Sequence, residues 1–246
     1  MVKQFMRYIY LSPHLDDAAL SAGGLIYDLT QAGQPVEIWN FMCGFPPEGD
    51  LSPFAQVLHF QWGTTSAEET IRNRRFEDQN AAAILGAKSV YFDFLDCIYR
   101  RGPTGDWLYT QVFVPPHSAE EDLHARIAEA ISTRLRRDDV LICQLSVGSH
   151  VDHVMVRRAA ELLGRPLLYS IDIPYLFNHP DELALKTVGM KEKLYSISEA
   201  GLRSWQDACA AYTSQLSTLF ESEQDLRNRL QSYWAGQGGV RFWSFD

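Results

Sequence analysis

The chain is poor in cysteine, short of basic residues and free of long apolar runs. Only four cysteines occur in 246 residues, Cys43, Cys97, Cys143 and Cys209. They are far apart with no C-x-x-C pair, and the first three lie in apolar sequence, where a thiol behaves as a small hydrophobe. Neither a disulfide framework nor a thiolate metal centre is expected. No stretch approaches the ~18 uninterrupted apolar residues of a membrane span. Met1 to Arg7 lack the apolar segment and small-residue cleavage site of a secretory signal, so a cytoplasmic protein is expected. Lys and Arg number 22 against 31 Asp and Glu, a formal charge of -9. Proteins that grip a phosphate backbone carry a basic face. Here Arg72, Arg74 and Arg75 are flanked by acids on both sides, and Arg134, Arg136 and Arg137 run into Asp138-Asp139. Nucleic acid is therefore not an expected partner. Internal repeats, low-complexity segments and interdomain linkers are also missing.

What is present suits one large core: 46% of the residues are hydrophobic, and residues 1–246 are read as one domain. Strands are expected at 8–11, 36–42, 89–94, 140–143 and 166–171, with helices at 18–31, 66–85, 119–136 and 152–163 between them. Residues 199–234 read as mostly helical. Residues 43–61 and 99–116, rich in Gly, Pro and aromatics, read as long loops, the first a lid. Strands alternating with helices imply an α/β fold, a Rossmann-like doubly wound, mostly parallel sheet with helices on both faces. Right-handed crossovers place every strand-to-helix loop on one edge of that sheet, where ligands bind.

Two of those loops carry imidazoles and carboxylates. Pro13-His14-Leu15-Asp16-Asp17 follows the first strand, and His150-Val151-Asp152-His153 follows the fourth. His14 and Asp17, three apart at a helix start, can chelate one cation, and His153 supplies a third ligand from the neighbouring strand end. Two His and a carboxylate with an open position form a catalytic zinc arrangement, although ferrous iron suits the same donors. Asp16 points elsewhere, as suits a group acting on bound water. The plain alternative for Asp16-Asp17 is helix capping. Asp152 is expected to hydrogen-bond His150 and hold its ring charged, ready to stabilise an oxyanion or protonate a leaving amine. His59, His117, His124 and His179 read as ordinary polar residues, with His59 in the presumed lid.

With these motifs the chain resembles the PIG-L/LmbE-like family of zinc-dependent deacetylases, which remove acetyl groups from N-acetylglucosaminyl conjugates and related N-acyl sugars. The likeness extends through Gly23-Gly24, Arg74-x-x-Glu77, Ala81, Leu85-Gly86, Leu95-Asp96, Asp172-Ile173-Pro174-Tyr175 and Tyr212-Thr213-Ser214-Gln215. It implies His14, Asp17 and His153 as zinc ligands, Asp16 as general base, His150 as stabiliser or acid, and Asp152 as its orienting partner. It also implies that Arg74 and Asp96 hold the sugar, with Glu77 supporting Arg74. The commoner first motif, A-H-P-D-D-E, differs from this chain at Pro13, Leu15 and Ala18, and none of these changes removes a ligand.

The implied reaction is hydrolysis of an N-acetyl group on a small N-acetylated sugar or glycoconjugate. Zinc polarises the amide carbonyl and lowers the pKa of its water from 15.7 to about 7, and Asp16 takes the water's proton. Phe45, Pro46, Phe54, Phe60, Trp62, Tyr99 and Trp107 offer flat surfaces to a sugar or aglycone, or else pack the loops onto the sheet. Three alternatives stand beside this reading: hydrolysis of another amide conjugate, phosphoester hydrolysis, which commonly uses two metals, and a non-catalytic sugar- or nucleotide-binding domain. A homo-oligomer is left open.

Overall fold

The computed structural model describes residues 6–245; Met1–Phe5, part of the segment read above as lacking a secretory signal, and Asp246 lie outside them. In chain order the elements are β1 (Tyr8–Ser12), α1 (Asp17–Gln31), β2 (Val36–Asn40), α2 (Pro53–Gln61), α3 (Ala67–Leu85) and β3 (Lys88–Tyr91). Then follow α4 (Leu123–Ser132), β4 (Val140–Gln144), α5 (Val151–Leu162), β5 (Leu167–Ser170), α6 (Tyr175–Asn178) and α7 (Glu182–Lys186). The last are β6 (Lys191–Ser196), α8 (Glu199–Ala210), α9 (Thr213–Leu219), α10 (Glu223–Gln237) and β7 (Gly239–Ser244).

Among the described residues the strands form a seven-stranded sheet in the order β3-β2-β1-β4-β5-β7-β6. β3, β2, β1, β4 and β5 are all parallel, which requires cover on both faces. Their apolar runs meet that demand: Ile9, Leu11, Ile38, Leu141 and Ile142 are buried in one core with residues of α1, α5 and α8. From β1 the chain steps outward to β2 and β3, then returns to β4 on the other side. The crevice between the C-terminal ends of β1 and β4 is the point where strand order reverses, the usual ligand position in such sheets. Both polar motifs lie there.

Three expectations change. The 43–61 lid contains α2, started by Ser52, whose side chain accepts the Ala55 amide, with Pro53 in the first turn. That Ser-Pro start is a helix signal. The 199–234 helical stretch divides into α8, α9 and α10. β6 and β7 were not anticipated; β7 runs antiparallel to both β5 and β6. β6, on the sheet edge, is exposed along nearly its whole length, so it lacks the alternation that reveals a half-buried strand.

Gly23 and Gly24 serve packing. A Cβ on Gly23 would stand 2.6 Å from Trp205 Cδ1, and one on Gly24 would stand 2.8 Å from Ile197. The missing side chains let α1 and α8 close on each other, with Trp205 donating to the Leu20 carbonyl at 3.0 Å. Gly23→Ala is expected to cost about 1–3 kcal/mol by overpacking, whereas Gly236→Ala, facing open space in α10, should be neutral or stabilise by up to about 1 kcal/mol. Urea unfolding checks both; equal midpoints would contradict the packing role of Gly23.

Candidate active site

The turn from β1 into α1 that carries His14 and Asp17 is fixed by its own hydrogen bonds. Ser12 Oγ donates to the His14 carbonyl at 2.6 Å and accepts the Ala18 amide at 3.1 Å. Tyr212 gives its hydroxyl to the Leu15 carbonyl, 2.8 Å away. Asp17 Oδ2 accepts the His14 amide at 2.7 Å and lies 3.2 Å from His14 Nδ1, while Oδ1 lies 3.3 Å from His153 Nε2. The three residues named as ligands thus converge, all of them buried.

Each imidazole is held from behind by a carboxylate. His14 Nε2 is 3.1 Å from Asp152 Oδ2, and His153 Nδ1 is 2.9 Å from Asp172 Oδ1. Asp172 is itself anchored by the Val147 amide, 2.9 Å from its other oxygen. Such partners fix the tautomer and aim the opposite nitrogen. The opposite nitrogens here are His14 Nδ1 and His153 Nε2, both facing Asp17. His153 Nε2 is buried and makes no hydrogen bond. An orphaned buried nitrogen beside a carboxylate and a second imidazole fits a divalent cation, and the donor types suit zinc. His150 completes a further grouping: ligand atoms of His14, His150 and His153 lie within 4.8 Å of one another, as do those of His14, Asp96 and Asp152.

Burial raises the Asp17 carboxyl, but the His153 and His14 imidazoles outweigh it and hold the group below the usual carboxylate range. Asp16 shifts the other way: burial raises it and neighbouring Asp17 adds to the rise, with the Arg74 guanidinium opposing. Asp16 occupies the N-cap position of α1, yet its side chain caps nothing. Its Oδ1 lies 3.3 Å from Arg74 Nη2, and Arg74 packs over Trp62 at 5.2 Å. The capping alternative therefore does not account for Asp16.

His150 departs from expectation. The Asp152 carboxylate turns to His14, Arg100 and the Cys97 amide, because α5 carries it away from the ring at its own N-cap. His150 Nδ1 instead accepts the Asp152 backbone amide at 3.2 Å. Burial, with His14 and His153 alongside, pushes the His150 ring well below its ordinary pKa. Burial thus works against the charged ring expected above, and with Nδ1 accepting, a neutral ring carries its proton on Nε2. The turn before it holds Ser146, Gly148 and Ser149 at φ 57, 79 and 58°; two non-glycine residues in this region store strain of the sort found at functional sites.

A cleft of about 500 Å³ opens over these residues, lined by Asp16, Asp17, His14, Arg74, Asp96 and His150 on its polar side. Asp96 spends one oxygen capping the turn at Ile98 (3.1 Å) and keeps the other 3.8 Å from His14 Nε2. Phe54 and Trp62 of the aromatic set line the cleft, joined by Leu58, Val112, Phe113 and Leu219. The rest of the set does not reach it: Phe45 packs under Arg75, Phe60 is 85% exposed, and Pro46, Tyr99 and Trp107 line a separate cavity. His59 is buried against the Tyr99 hydroxyl at 2.6 Å, whereas His179 lines the cleft.

Glu77 does not support Arg74. It accepts from Thr213 Oγ1 (2.8 Å), the Ser214 amide (2.7 Å) and Ser214 Oγ (2.7 Å), docking α9 onto α3. Ser214 Oγ in turn accepts from Gln215 Nε2, and Gln215 lines the cleft. Sequence reasoning gave no role to Asp172, Arg100, Tyr175 or Gln215. Asp172, Tyr175 and Gln215 sit inside quoted motifs, while Arg100 carried no signal.

A family model described as PIG-L, GlcNAc-PI de-N-acetylase, matches residues 9–163. The chain belongs to this family. It is similar to the 2'-N-acetylparomamine deacetylase of Niallia circulans, 23% identical over 262 residues covering 96% of this chain and 93% of that protein. The zinc-inhibited form of teicoplanin deacetylase superposes with a TM-score of 0.86 at 28% identity, with 97% of each chain covered. The A40926 pseudoaglycone deacetylase gives a TM-score of 0.77 at 27% identity, covering 98% of this chain and 97% of that one. The latter matches extend past residue 163 and so include the α9 segment that Glu77 anchors.

Glu77→Ala removes a carboxylate that anchors α9. Hydrogen bonds to a charged group contribute about 1.5–3 kcal/mol each, not additively, so a net loss of about 2–3 kcal/mol is expected. Calorimetry should show Tm falling by roughly 4–12 °C for a domain of this size; an unchanged Tm would show that α9 is held otherwise.

Proposed function

We propose that the protein, as one domain over residues 1–246, is a metal-dependent N-deacetylase that hydrolyses the N-acetyl group of an N-acetylglucosamine-type sugar conjugate. One observation carries this reading: His14 and His153 are each backed by a carboxylate and turn their remaining nitrogens toward Asp17 at the floor of the cleft. Family membership and the deacetylase relatives support the reaction class. The apolar wall from Phe54, Leu58, Phe113 and Leu219 supports a conjugate over a bare sugar, because hydroxyls alone gain nothing from such a surface.

His14, Asp17 and His153 would hold a divalent cation, zinc by the family resemblance, with ferrous iron suited to the same donors. Once bound, that ion supplies carbonyl polarisation and an acidified water. Asp16, with a raised carboxyl and Arg74 keeping it ionised, receives the attacking water's proton, a contribution typically worth about 10²–10⁴ in rate. His150, neutral and protonated on Nε2, donates a hydrogen bond to the carbonyl oxygen as charge develops there; losing such a donor typically costs about 10²–10³. A neutral imidazole is a weak acid, so the proton needed by the departing amine returns from Asp16. Arg74 and Asp96, on the polar side of the cleft, contact the sugar.

The competing two-metal phosphoester reading finds little support. The second grouping shares His14, and its Asp152 is already engaged by Arg100 and the Cys97 amide.

An acetate-release assay on N-acetylglucosamine, its glycosides and N-acetylated glycolipids, with zinc and with chelator, tests the proposal. Acetate should appear with an equal amount of free amine, stop on chelation and resume with zinc. Asp16→Asn should keep its metal and lose about 10²–10⁴ in turnover, while His14→Ala and His153→Ala lower metal content by elemental analysis. Full activity in Asp16→Asn, or unchanged metal in both histidine variants, would refute the assigned roles.

A further inference from the structure

Behind His14 a line of buried charge runs away from the cleft. Asp152 Oδ1 lies 2.6 Å from Arg100 Nη2, and Arg100 Nε lies 2.9 Å from Glu120 Oε1. Glu120 Oε2 accepts from the Tyr109 hydroxyl at 2.6 Å, and that oxygen accepts the His117 amide at 2.8 Å. Arg100 also packs over the Tyr109 ring, 5.1 Å from its centroid. Asp152, Arg100, Glu120 and Tyr109 are all buried. None of them except Asp152 belongs to a motif of the family resemblance, and none except Asp152 has a part in the chemistry above.

Taking several ions out of water is expensive, and a fold with only stability at stake gains as much from apolar residues of similar volume. The buried ions instead form a continuous line of ion pairs that ends behind His14. Arg100 Nη2 meets Asp152 and Nε meets Glu120 by charge and proximity, without an aligned hydrogen bond at either nitrogen, and Tyr109 covers a face of the plane. Charge spread over two nitrogens on a flat, ring-covered group is what a flexible ammonium reproduces poorly. The Cys97 amide reaches the same Asp152 oxygen that meets His14, so the 97–100 turn supplies Asp152 with both a neutral and a charged partner.

We infer that Arg100 is a positioning residue: clamped between Glu120 and Asp152, it holds the Asp152 carboxylate against His14 Nε2 and thereby aims His14 Nδ1 at the cation position. The inference rests on the metal-dependent reading and extends it to residues that touch neither metal nor substrate. It also joins the ligand to the cleft wall, since Gln111, Val112 and Phe113 line the cleft between Tyr109 and Glu120.

The probe is zinc alone, titrated against a chromophoric chelator in the purified full-length protein. Arg100→Gln should weaken zinc affinity by about 10–100-fold, the usual cost of losing a partner behind a metal ligand. KM measured at saturating zinc should stay near the wild-type value, and Arg100→Lys should recover part of the affinity. In an Asp152→Asn background the further effect of Arg100→Gln should shrink to less than about threefold, because residues acting through one another are not additive. Should Arg100→Gln fail to fold, Glu120→Gln gives the same readout two links from His14, with a weakening of about three- to tenfold expected. If wild type binds zinc and releases acetate while these single variants match its affinity, or if losses at Arg100 and Asp152 simply add, the positioning role is overturned alone. A wild-type protein that takes up no zinc overturns the positioning role and the metal-dependent reading together.

Discussion

The site depends on buried carboxylates placed behind imidazoles. An imidazole offers a lone pair from either nitrogen, and it presents a defined one only when the other is committed. Asp152 commits His14 at 3.1 Å and Asp172 commits His153 at 2.9 Å. Both carboxylates need compensation in the interior, and the fold supplies it differently. Asp152 receives an arginine and a backbone amide. Asp172, whose carboxyl burial pushes up, is met by His153 and the Val147 amide. The two imidazoles therefore rest on unequal supports, one ionic and one made of hydrogen bonds at the end of β5.

The parallel sheet gives those supports their coordinates. β1 and β4 pair directly from Tyr8–Val140 to Leu11–Cys143, so the turns that follow them are neighbours by register. The acute path into α5, through left-handed Ser146, Gly148 and Ser149, sets His150 at the cleft and carries Asp152 inward. One residue of separation thus assigns two opposite faces of a helix start, and with them two different tasks.

Much of this was legible in the chain itself. The apolar runs ending at Leu11 and Cys143 announced buried parallel strands, and the His-Asp clusters after them announced convergence. The class of fold, five strand positions and the meeting of His14, Asp17 and His153 follow from those patterns. What escaped was long-range or direction-dependent. Asp152 and His150 are two apart, and spacing alone does not say whether the carboxylate turns toward the ring or behind another. Glu77 and Arg74 share a helical face, yet Glu77 reaches α9, which no local pattern foretells. Arg100 lies in a loop-like stretch without periodicity, and its partners are 20 and 52 residues away along the chain. β6, polar and exposed, lacks the apolar signature by which the other strands are read.

The matched family segment ends at residue 163, and His14, Asp17 and His153 all fall inside it. Much of the cleft rim, including Tyr175, Asn178, His179, Gln215, Thr218 and Leu219, comes from later in the chain. Reactive floor and selective rim are thereby written in largely separate stretches of sequence. The rim from α6 and α9 sits outside the parallel strands that place His14, Asp17 and His153, so its side chains can change without moving the strand ends that carry those residues.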